Sequence, residues 1–176
     1  MIIDLSPGPL AADPPDFSAF ELVSHGHKFE DFTEGQVLEH HWGRTLTEAD
    51  VVAFATATCH WQPLYLNREF ALAHGHPTLV VPPLLALCVV VGVSVEDLSE
   101  TGGPFLGLGD CTFEHSLHVG DTLTARSTVL SARLSQSRPG IGIVTWRTEA
   151  FDQHGDIALS YVRTNLVACH PEVLPA

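Results

Sequence analysis

The chain has 176 residues, 45% of them hydrophobic and 16% charged. That is enough apolar chain for one buried core, and it excludes wholesale disorder. Asp and Glu number 21 against 8 Lys and Arg, a net charge of -13. With no basic stripe, neither nucleic acid nor an anionic membrane surface is expected as a partner.

Residues 1–26, rich in Pro, Asp and Ser, read as an arm that Phe17, Phe20 and Leu22 are able to pin to the body. The start lacks the basic opening and long apolar run of a secretory signal, so a cytoplasmic protein is expected. The body is expected over 27–170, with 171–176 as a tail. After the Glu34-Gly35 turn, His40, Trp42 and Arg44 alternate with His41 and Gly43 in a strand pattern. Thr47 is placed to cap a helix whose first turn carries Glu48 and Asp50 and whose face is Val51, Phe54, Ala55 and Thr58. Pro63 stops that helix, which puts Cys59 to Tyr65 on a loop. Asn67 then caps a short helix, Arg68 to His74, closed by Gly75.

Pro82-Pro83 opens a third helix, expected to run to about Leu98. The uncharged stretch Leu79 to Val95 is 17 residues long, marginal for a membrane span and better read as a core helix. It is apolar on nearly every side, so it must be covered all round, and a curled sheet is the economical cover. Candidate strands follow at 113–119, 122–134, 141–151 and 157–168, the last two joined by the turn Asp152-Gln-His-Gly155. The plan is α+β, one antiparallel sheet wrapped around one long apolar helix. Cys59, Cys88, Cys111 and Cys169 have neither knuckle nor redox-pair spacing and are expected to be buried, reduced thiols.

Several motifs in this order resemble the MaoC-like hotdog-fold proteins, which include R-specific enoyl-CoA hydratases and dehydratases. They are Phe29-Glu-Asp-Phe-Thr-Glu-Gly35, Gly43-Arg-Thr-Leu-Thr-Glu-Ala-Asp50, Gln62-Pro-Leu-Tyr65, Phe70-Ala71, Gly75-His-Pro77 and Val119-Gly-Asp-Thr-Leu123. Val93-Ser-Val-Glu-Asp-Leu-Ser99 and Ser137-Arg-Pro139 are similar to a mesaconyl-CoA hydratase-like subgroup. The resemblance implies a single hotdog domain, a homodimer, and an acyl thioester carried by coenzyme A or an acyl carrier protein.

R-specific hydratases carry Asp, any residue, Asn, Pro, any residue, His. On that pattern His60 stands at the Asp position, Gln62 at the Asn position and Tyr65 at the His position, with Pro63 retained. Where such relatives have His-Gly at the long helix, this chain has Val81-Pro82 and then Pro83. Proline has no N–H, so two backbone donors to a thioester oxygen are missing. His60 is the expected proton carrier, because imidazole is the side chain suited to take and give a proton around neutral pH, and Tyr65 the expected catalytic hydroxyl. Gln62, Trp61, Pro82 and Leu87 are the expected substrate-binding residues. The pair His74 and His76 lacks a carboxylate or Cys at ligand spacing, so no metal is expected. No phosphate-binding Gly loop or nucleophile elbow occurs, and no cofactor is expected. Three readings stay open: a hydratase or dehydratase with an altered catalytic pair, a thioesterase, and a binding protein that has lost catalysis. The 84–95 stretch of the long helix carries no acid of the kind hotdog thioesterases use there.

Overall fold

The computed structural model describes residues 26–101 and 103–171; nearly all of the expected arm and tail lie outside them. The strands are β1 (Val37–Thr45), β2 (Phe105–Phe113), β3 (Thr122–Leu134), β4 (Ile141–Phe151) and β5 (Ile157–Ala168). They form one antiparallel sheet in the order β1-β3-β4-β5-β2, with β1 and β2 at the edges. The helices are α1 (Glu48–Ala57), α2 (Pro63–Leu66), α3 (Arg68–Ala73), α4 (Pro83–Val93) and α5 (Val95–Leu98).

Thr47 caps α1 as its sequence context requires. Its hydroxyl accepts from the Asp50 N–H, and the Asp50 carboxylate accepts from the Thr47 N–H at 2.9 Å. Asn67 caps α3 through the Phe70 N–H. One apolar cluster forms where Leu85, Ala86, Val89 and Val90 of α4 meet Leu123, Ala125, Ala150, Leu159 and Tyr161 of the sheet. A second packs Phe32, Leu38, Leu98 and Val129 around the fully buried Trp146. Gly142 is needed here, because any Cβ would sit 1.9 Å from the Phe29 ring.

Four expectations need correction. The long helix ends at Val93 instead of near Leu98. Gly92 weakens the last turn, and the Ser94 hydroxyl turns back to donate to the Val91 carbonyl at 2.9 Å, competing with helix continuation. Nor is that helix covered all round, since the sheet shields one side and leaves Leu84 55% exposed with Cys88 beside it. The first strand after the helices is 105–113, not 113–119. Its glycines hide it in the sequence, yet main-chain bonds to β5 carry it, and Leu117 and Val119 pair instead with 79–81. Only Cys169 is buried; Cys59 and Cys88 are exposed and Cys111 half-buried.

A polar chain crosses the interior. The buried His40 meets the Asp97 carboxylate at 2.6 Å through Nδ1 and the Ser127 hydroxyl at 2.8 Å through Nε2, and Ser127 meets Thr148 at 2.8 Å. This chain ties α5 to the sheet and fixes the β1–β3–β4 register.

Candidate active site

α1 ends where Thr58 donates its hydroxyl to the Phe54 carbonyl and Cys59 takes a left-handed turn, φ 56°. The His60 N–H then bonds back to Ala55. Pro63 does not merely stop a helix. It occupies the first turn of α2, a position that needs no N–H, and so Tyr65 lies on a helix and not on a loop. The Leu64 carbonyl accepts from the Val80 N–H, and Val81 and Val119 bond across to Leu117 and Leu79. These bonds draw α2, the lead-in to α4 and the 114–119 segment around one cavity.

The cavity measures about 430 Å³, within the size range of small-ligand sites. Its apolar wall is Leu64, Val80, Val81, Pro83, Ala86 and Phe113; its polar wall is Tyr65, His76, Glu114, His115 and Ser116. Tyr65 is 7% exposed, and burial raises its phenol above the ordinary value, so the group is protonated at neutral pH and able to donate. His76 Nδ1 lies 3.1 Å from His118 Nε2. Burial pushes His118 below the ordinary histidine value, and Asp121 opposes this only in part.

The predicted residues divide. Tyr65 lines the cavity. His60 meets the Tyr65 ring edge-on, centroids 5.0 Å apart, but is not among the lining residues. Gln62 is exposed and caps α2 with its backbone, and Trp61 is 67% exposed. Pro82 is buried at the head of α4, where Pro83 and not Pro82 faces the cavity. Leu87 is half-buried against the core and lines neither the cavity nor the shallower groove between β1 and α4. Sequence reading passed over His76 as a cavity residue and missed His118, Asp121 and Ser116. His76 and His118 stand 42 residues apart, and only the 79–81 to 117–119 pairing joins them. Among the described residues no cluster of three or more His, Cys, Asp or Glu converges to hold a metal. No helix among them is long and apolar enough to cross a membrane.

The sequence profile of the mesaconyl-CoA hydratases matches residues 17–173. The chain belongs to this family. It is 41% identical over 143 residues to the mesaconyl-CoA hydratase of Haloarcula marismortui, covering 81% of this chain and 40% of that protein. A solved Chloroflexus aurantiacus structure, described as a MaoC-domain dehydratase, superposes with a TM-score of 0.78 at 29% identity over 86% of this chain and 43% of its own. A Mycobacterium tuberculosis protein with a double hotdog fold superposes at 0.75, 24% identical, over 86% of this chain and 47% of its own. The fold of this mesaconyl-CoA hydratase family member is therefore one hotdog, as the sequence motifs implied. The chain spans less than half the length of the curated mesaconyl-CoA hydratases it matches.

Proposed function

We propose that this protein is a lyase that adds water to, or removes it from, an α,β-unsaturated or β-hydroxy acyl thioester carried by coenzyme A or an acyl carrier protein. The observation that carries the reading is the cavity at α2. It combines an apolar wall suited to an acyl chain with a buried, protonated Tyr65 hydroxyl at the position where R-specific hydratases place a catalytic side chain. The names of the family relatives support a CoA thioester. Tyr65 would hold the thioester oxygen in place of the backbone donors that Pro82 and Pro83 lack. His60, edge-on to Tyr65, is retained as the residue that fixes that ring or moves a proton beside it.

The working unit proposed is a homodimer. Edge strand β2 has one neighbour, β5, and presents Phe105, Leu106, Leu108 and Phe113 at 38–52% exposure. Unpaired apolar edges of this kind are normally covered. Phe113 also belongs to the cavity wall, so a second copy paired along β2 would lie over its mouth. Sedimentation at micromolar concentration should give a dimer, and Leu106→Asp a monomer; a monomeric native protein would count against it.

The test of function is incubation with mesaconyl-CoA, crotonyl-CoA and longer enoyl thioesters, reading loss of the conjugated double bond and free thiol separately. Loss of the double bond without thiol release supports the proposal. Thiol release points to a thioesterase, and saturable binding without turnover to a binding protein.

A further inference from the structure

Tyr65 supplies a hydroxyl to the cavity, but a phenol raised by burial is a poor base, and the chemistry needs a group that takes a proton from water. His60, which the sequence points to, does not line the cavity, whereas His76 does. Behind His76 stands a second imidazole, and behind that a carboxylate. We propose that His76 is the general base and acid of this cavity, set in its working tautomer by His118 and Asp121. The inference rests on the hydratase reading and names the group that performs it.

The tautomer follows from counting protons. His76 Nδ1 and His118 Nε2 are 3.1 Å apart, and two neutral imidazoles in that contact share a single proton. His118 Nδ1 faces the Asp121 carboxylate at 3.9 Å, a distance at which a carboxylate favours an N–H over a bare lone pair. With its proton on Nδ1, neutral His118 accepts at Nε2, so His76 donates from Nδ1 and its Nε2 is left as a bare acceptor. Asp121 is held beside His118, since its Oδ2 also accepts the His118 backbone N–H at 2.7 Å and its Oδ1 accepts from Gln153 at 2.8 Å. The burial that lowers His118 keeps it neutral near pH 7, as the arrangement requires. His115 is the other titratable group that acts on His118, and its Nε2 lies 3.4 Å from the Asp152 carboxylate; Glu114 and Tyr65 line the same cavity.

In hydration, His76 Nε2 takes one proton from water as the water oxygen bonds to Cβ. The π electron pair moves through Cα to the thioester oxygen, where the Tyr65 hydroxyl holds the resulting enolate. The imidazolium then returns the same proton to Cα as the enolate collapses. The net change is H and OH added across the double bond, with the enzyme unchanged; dehydration runs the steps in reverse.

The experiment measures kcat and KM from pH 5 to pH 9 for the full-length protein on the thioester it turns over best, with His76→Gln, His76→Asn, His118→Gln and His60→Ala. Urea midpoints identify any variant that has lost its fold. The expected result is a fall in kcat of roughly 10²–10⁴ for both His76 variants with KM little changed. His118→Gln should lose less and move the acid limb of the pH profile, which a merely structural role would not do. His60→Ala should lose less than His76→Gln. A folded His76 variant within threefold of the native rate overturns the assignment while the hydratase reading stands. A native protein that turns over no thioester overturns both.

Discussion

The one-sided cover of α4 can be tested by truncating the same helix on its two faces. Val90 is fully buried against the sheet, whereas Leu84, six residues earlier, is 55% exposed. Val90→Ala removes two methyl groups from a closed core, about 1.6 kcal/mol of transfer free energy at about 0.8 kcal/mol each. If a cavity of about 40 Å³ stays unfilled, about 24 cal/mol per Å³ adds about 1 kcal/mol. The expected loss is about 2–3 kcal/mol, or about 4–12 °C in Tm for a chain of this size. Leu84→Ala removes a larger side chain yet should cost under about 0.5 kcal/mol. Urea unfolding followed by tryptophan fluorescence, in which Trp146 is the buried reporter of the core, reads both. Protein concentration is varied, so that any contribution of Leu84 to a dimer appears as concentration dependence. Equal losses at the two positions, or a larger loss at Leu84 that persists on dilution, would refute the packing described for α4.

Two further outcomes follow from individual side chains. The Thr47 hydroxyl, the Thr47 N–H and the Arg44 guanidinium hold the Asp50 carboxyl below its ordinary value. A lowered folded-state pKa gives stability that is present above the unfolded value of about 4 and lost as pH falls through the folded one. Asp50→Asn should therefore lower the urea midpoint at pH 7, and the gap to the native protein should close below about pH 4. Arg163 is 1% exposed, stacks 5.5 Å over Trp146 and has no carboxylate partner among the described residues. Burial lowers its pKa, and its Nε is unsatisfied there. Arg163→Met, which keeps the stem and removes the charge, should raise the urea midpoint; a clear fall would show that the guanidinium has a partner that offsets its burial.

The parts of this fold that were legible in sequence are those governed by local rules. Thr47 and Asp50 announce a helix start, Gly75 closes a short helix, and strands 122–134, 141–151 and 157–168 follow from alternation and turns. Strand β2 was not legible, because Gly107 and Gly109 remove the alternation while its partner β5 lies some fifty residues downstream. The break at Ser94 was hidden by the apolar run before it. Within the site, the resemblance to the hydratase pattern singled out Tyr65, although its segment read as a loop and is a short helix. The contact between His76 and His118 could not, since it depends on a short pairing of two segments that neither propensity nor period marks as strands. Exposure misled in the same way. Leu87 and Trp61 look like pocket residues by type, yet Ala86 and Phe113 line the cavity.

The central claim is that the Tyr65 cavity processes an acyl thioester, and a single-atom change tests it most directly. Tyr65→Phe keeps the ring, its burial and its contact with His60, and deletes only the hydroxyl. With the best enoyl-CoA substrate of the native protein, kcat for water addition should fall by roughly 10²–10³ with little change in KM, the loss typical of one oxyanion donor. A folded Tyr65→Phe variant that hydrates the same thioester at the native rate would contradict the account.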